Sequence, residues 1–163
     1  MNTASFRHFY SYHFAENRNL WNYISQLSDE LFTQAVDYSH GSVCNQIVHL
    51  ISVDEIWFSE LQNITPSEPF ALDSVTDRTF IRKYWDGVEQ MMRRFLASLD
   101  EEILLSKPIQ EPDEDRDMIV WQVLLHVVNH GTDHRAQMLR MLKDIGIKTT
   151  SQDYIFYVYD SSS

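Results

Sequence analysis

Apolar residues recur at three- and four-residue steps through most of this chain, the spacing that lays side chains along one face of a helix. The first stripe runs from about Ser5 to Leu27, through Phe6, Tyr10, His13, Asn17, Leu20 and Ile24. Ser28-Asp29-Glu30 then offers a stop and a new cap. A second stripe runs from about Ser42, a helix-capping residue type placed just after Gly41, to Gln62, with Val43, Ile47, Leu50, Trp57 and Leu61 on its apolar face. Pro66 and Pro69 close that region. The third spans about Asp77 to Leu99, on Phe80, Tyr84, Val88, Met91 and Phe95. From Asp100 to Asp117 the pattern breaks, and Pro108, Pro112 and a group of acids predict a loop or irregular hairpin. The fourth runs from about Met118 to Asp144, with Gly146 as its terminating glycine. The aromatic tail from Asp153 to Asp160 is β-prone and reads as a short docked segment. Four amphipathic helices of about 20 residues predict an all-α chain folded as a four-helix bundle.

Composition narrows this further. The 163 residues suit a single domain, 1–163, and a 44% hydrophobic fraction is enough for a core. Net charge is −11 at pH 7, and the 13 Lys and Arg residues are scattered, which argues against nucleic acid and anionic membrane surfaces. No run approaches the roughly 18–20 apolar residues of a membrane span. Residues 1–10 lack the pattern of a secretory signal. With Cys44 the lone cysteine, a cytoplasmic location is expected.

The candidate chemistry lies in the histidines. Three of the seven, His126, His130 and His134, share the fourth helix. His130 and His134 fall on the stripe of Val123, Val127, Met138 and Met141, where core residues should stand. An i, i+4 pair is offset by only about 40° on a helix, so both imidazoles can reach one ion. The same spacing also occurs as two hydrogen-bonded core histidines. Gly131 stands where a zinc protease would carry its general-base Glu, so that reading loses its base. A third ligand must come from another helix. His49, near the middle of the second helix, is the best candidate and His13 the runner-up. His126 falls on the polar flank, and His8 and His40 read as solvated surface residues.

Asp133 and Gln137 flank the pair and are candidates to orient a ligand or a bound cofactor. Asp54 and Glu55 read as surface charges, Cys44 as a small buried hydrophobe, and the four tryptophans as core. Three imidazoles and an open position make a catalytic type of site, and nitrogen ligands suit zinc, nickel, copper or iron. No side chain stands out as a catalytic acid or base.

The run Asn129-His130-Gly131-Thr132-Asp133-His134-Arg135-Ala136-Gln137, after an apolar stretch from Trp121, is similar to the last-helix signature of the DinB/YfiT-like family. His49 with Trp57 eight residues on, the segment Asn17-Arg18-Asn19-Leu20 and the tail from Asp153 resemble that family too. Position 133, often His in the family, is Asp here. The resemblance implies a four-helix bundle running up-down-down-up, frequently as a homodimer, with metal ligands at His49, His130 and His134. The expected cofactor is a divalent metal, zinc or nickel ahead of iron or manganese. Related families transfer small thiols such as bacillithiol, mycothiol or glutathione. A thiol-dependent S-transferase acting on a small-molecule substrate is therefore the leading expectation. The alternatives are a hydrolase using metal-bound hydroxide and a non-enzymatic, stress-related metal or small-molecule binding protein.

Overall fold

A computed structural model of the chain describes residues 2–68, 70, 75–112 and 115–161. Pro69 and the acidic residues Asp113 and Glu114 lie outside them. The described residues contain helices and no strand. In chain order these are α1 (Thr3–Ile24), α2 (Asp29–Thr33), α3 (Val43–Glu60), α4 (Arg78–Ser98), α5 (Glu101–Leu105), α6 (Val120–Asp144) and α7 (Tyr154–Ser161). The four long ones, α1, α3, α4 and α6, are the four stripes of the sequence.

Their ends follow local chemistry. The side chains of Ser42, Asp77 and Asp100 accept hydrogen bonds from backbone N–H groups in the first turns of α3, α4 and α5, satisfying donors that have no partner inside the helix. Helix α6 starts differently: the Gln122 side chain reaches back to accept from the Ile119 N–H at 2.9 Å. It stops where Gly146 takes φ +85°, a conformation glycine adopts without steric cost.

The long helices pack in the cyclic order α1, α6, α3, α4. Cross-helix contacts fix their directions. Tyr10 donates to the Leu124 carbonyl and His13 meets Arg135, so α1 and α6 run parallel. Gln46 meets His134 while Trp57 meets His126, so α3 is antiparallel to α6. Glu55 pairs with Tyr84 and Ser59 with Met91, so α3 and α4 are parallel. Arg7 reaches the Leu96 carbonyl and Arg18 reaches Glu89, so α1 opposes α4. The long helices thus run up, down, down, up. Phe6, Tyr10, Ile47, Leu50, Ile51, Trp85, Val123, Leu124 and Val127 fill the core. Full burial of each such side chain is worth about 1.5–3 kcal/mol.

Two segments that the sequence left open take definite form. The region after Asp100 opens with the one-and-a-half-turn α5 and continues as loop, with no hairpin among the described residues. The β-prone tail is helical, as α7. Its backbone has no strand to pair with among the described residues, so it closes its hydrogen bonds within itself. The helical spacing sets Tyr154 and Tyr157 side by side against His8 and Tyr12 of α1.

Candidate metal centre

Antiparallel packing of α3 on α6 brings the middle of one helix against the middle of the other, and histidines meet there. The ring centroids of His49 and His134 are 4.7 Å apart, those of His130 and His134 4.2 Å, and those of His49 and His130 5.4 Å. A fourth ring joins them. His40 stacks on His49 at 3.9 Å and lies 5.5 Å from His134. One ring nitrogen from each of His40, His49 and His134 lies within 4.8 Å of the other two. Two nitrogens bound to one zinc-sized ion in tetrahedral geometry at ~2.0–2.1 Å stand about 3.3–3.4 Å apart, so the rings must draw closer to share an ion. His40, read from sequence as a solvated residue, is instead half-buried: the loop between α2 and α3 folds it inward.

The electrostatics favour neutral rings. Burial, reinforced by His40 and His134, lowers the pKa of His49 from the usual 6.5 to about 4. Burial, with His134 and His49 next, lowers that of His130 to about 3. His134 is lowered by burial and by His40, with Asp133 and Gln137 opposing. Neutral imidazole is the form that binds a metal. The buried Nδ1 of His130 has no hydrogen-bond partner. An orphaned nitrogen among neutral imidazoles is costly as it stands, and a divalent ion in reach would satisfy it.

Behind the rings lies a polar relay whose hub the sequence reading missed. Gln46, fully buried, has its Nε2 2.5 Å from His134 Nδ1 and donates to Gln137 Oε1 at 2.8 Å. Gln46 Nε2 can only donate, so in this arrangement Nδ1 accepts and the proton of neutral His134 sits on Nε2; ligation through Nε2 requires the Gln46 amide turned so that its oxygen accepts from an Nδ1 N–H. Gln137 Nε2 in turn donates to Asp133 Oδ2 at 3.0 Å. Asp133 and Gln137 therefore sit behind the His134 ring, reached through Gln46. The missed signal was positional: Gln46 precedes His49 by three residues, so both occupy one face of the helix.

His13, the runner-up ligand, belongs to another cluster between α1 and α6. It is fully buried, with Arg135 Nη1 3.1 Å from its Nδ1 and Asn17 Nδ2 3.1 Å from its Nε2. Arg135 Nη1 and Asn17 Nδ2 both can only donate, while a neutral imidazole has one accepting nitrogen, so His13 accepts from one of them and turns its ring N–H towards the other. Its Nε2 faces Asp54 Oδ2 at 3.6 Å. Asp54 is thus no surface charge. It is fully buried, and neither carboxylate oxygen has a hydrogen bond. It shares the stripe of Leu50 and Phe58, each four residues away, so helical geometry takes it into the core. Glu55 is half-buried and accepts hydrogen bonds from Ser67 and Tyr84.

The other candidates fall where their surroundings dictate. His126 is exposed and meets Trp57 edge-on, with ring centroids 5.1 Å apart. His8 is exposed beside α7. Cys44 is buried, with its Sγ 3.2 Å from the Val75 carbonyl oxygen. Trp85 is buried, while Trp21, Trp57 and Trp121 are partly so. No helix among the described residues is long and apolar enough to cross a membrane.

The model of the family described as the DinB family matches residues 1–161. Protein DinB of Bacillus subtilis (strain 168) is 26% identical over 157 residues, covering 92% of this chain and 91% of that protein.

Proposed function

The chain belongs to the DinB family, and we propose that it binds one divalent metal ion through His49, His130 and His134 and uses it to transfer a low-molecular-weight thiol to a small electrophile. The observation that carries the reading is the meeting of these rings between α3 and α6, where the nitrogens of His40, His49 and His134 lie within 4.8 Å of one another and the His130 ring stands beside them. Nitrogen donors and a compact site suit zinc or nickel ahead of iron or manganese.

Each part of the chain then has a task. His49 and the pair His130 and His134 hold the ion from two helices. Gln46 fixes the His134 ring, and Gln137 and Asp133 steady Gln46. A bound divalent ion supplies Lewis acidity, which lowers the pKa of a coordinated thiol towards neutrality. The sulfur must come from solution, because Cys44 is buried against Val75. In the transfer a C–S bond forms at the electrophilic carbon, the leaving group departs with its electron pair, and the thiol proton passes to solvent. A cavity of about 300 Å³ lined by Val36, Tyr38, Val43, Arg140, Met141 and Asp144 opens beside the His40 loop, with none of the four histidines in its lining. The same reading carries a small-molecule substrate, a homodimer and a cytoplasmic location.

The test is conjugation of a general electrophile with protein, metal and thiol together against every pair of the three. Faster conjugation with all three, lost in His134→Ala, is the expected result. Turnover without thiol would replace transfer by hydrolysis. Tight metal binding with no turnover would leave a binding protein.

A further inference from the structure

The His40 loop is built as if its ring position mattered. Residues 34–42 connect α2 to α3, and Ser39 (φ 50°) and Gly41 (φ 84°) bracket His40 in the left-handed region. A non-glycine residue there costs free energy that its surroundings must offset. Those surroundings are specific. Both backbone polar groups of His40 are held by side chains from the first turn of α3. Its N–H donates to Gln46 Oε1 at 3.3 Å, and its carbonyl accepts from Asn45 Nδ2 at 3.2 Å. The Val36 N–H donates to the Gly41 carbonyl at 2.7 Å and closes the loop. Ser39 Oγ lies 2.7 Å from Gln46 Oε1 and 2.5 Å from Gln137 Oε1. Gln46 is also the side chain bonded to His134, so one residue sets the loop and a ring of the site. The outcome is an imidazole whose nitrogen lies within 4.8 Å of those of His49 and His134.

We propose that His40 is a fourth protein ligand of the ion and that it gives up its place to the entering small-molecule donor. This rests on the metal-binding reading above. His49, His130 and His134 project from helices, whose internal hydrogen bonds hold their backbones. His40 stands on a loop outside any helix, and its own backbone is tied by two long hydrogen bonds, so it is the ligand that can leave at least cost. A resting site closed by four imidazoles keeps water from the ion. Departure of His40 opens the position that the thiol takes.

Cobalt(II)-substituted protein tests this without any turnover. Each coordinated histidine contributes one hyperfine-shifted, solvent-exchangeable ring N–H to the proton NMR spectrum. Wild type should show four, and His40→Ala and His40→Gln three, with cobalt bound at least about tenfold more weakly. Both variants should keep the wild-type far-UV spectrum, since His40 lies outside the helices. Adding 2-mercaptoethanol to wild type should remove one N–H signal as a sulfur-to-cobalt charge-transfer band grows. Three signals and equal affinity in wild type and both variants would reduce His40 to a stacked neighbour and leave the metal reading standing. Thiol binding with all four signals kept would overturn its departure. Wild type that takes up no cobalt would end both readings.

Discussion

A Cβ atom placed on Gly131 would lie 2.5 Å from Cε1 of His13. Glycine in the middle of a helix normally costs about 0.5–1 kcal/mol relative to alanine, so Gly131→Ala should stabilise on propensity alone. The contact reverses the sign, because the His13 ring is fully buried and held by Arg135 and Asn17. Gly131→Ala should lose about 1–3 kcal/mol in urea unfolding. In a His13→Ala background the same change should cost much less. Equal costs in both backgrounds would remove His13 as the reason for the glycine.

Asp54 places a carboxylate in the core beside His13, within electrostatic reach of Arg135. Arg135 is itself buried, so loss of Asp54 leaves that cation without its nearby negative charge. Asp54→Ala should destabilise the fold by about 3 kcal/mol. Thermal unfolding that matches wild type would show that the carboxylate contributes nothing net.

Metal-free protein should lose stability on mild acidification. The folded-state pKa values of His49 and His130 lie at about 4 and about 3, below the usual 6.5 of the unfolded chain. Below pH 6.5 the unfolded chain takes up protons that the folded one does not, so unfolding is favoured as pH falls. The contribution of these rings is complete above pH 6.5 and is lost progressively down to about pH 3–4. Partial solvent access to both rings damps its size. Urea midpoints at pH 7 and pH 5 for wild type and for the His49→Ala, His130→Ala double variant measure it. The double variant should show the smaller drop, and identical drops would place the titration elsewhere.

Zinc affinity should separate the histidines by position. His49→Ala, His130→Ala and His134→Ala should each weaken binding greatly in a competition titration with a chromophoric chelator. His126→Ala should have little effect, since that ring is exposed against Trp57. Gln46→Ala, which frees the His134 ring, should cost about 10–100-fold. A loss from His126→Ala equal to that of the other three would mean that the ion sits further towards the N-terminal end of α6.

Long periodic segments were the most legible part of the sequence. Ser42 and Gly146 marked helix ends by the same chemistry that the structure uses. The pairing of His130 with His134 followed from asking which histidines share an apolar stripe, and His49 from its place near the middle of a second helix. His40 was hidden because a loop has no period: its inward turn depends on two left-handed residues and on side chains five and six positions away. Asp54 was misplaced because its angle was measured from His49, whereas Leu50 and Phe58 give its true direction. The tail was left without a type because aromatic residues favour strands only where a partner strand exists.

Helix α6 carries His130 and His134 towards α3, and Gly131 and Arg135 towards α1. Each functional residue is thus followed by one that docks on the opposite wall. On the α1 side, Gly131 lies flush against the His13 ring and Arg135 donates to Asn17 at 2.9 Å. These fittings set the azimuth of the helix about its own axis. A helix so keyed cannot roll, and a roll is what would swing both imidazoles away from His49. The aim of two donors is therefore settled when the chain folds, and an arriving ion has only side-chain torsions left to order.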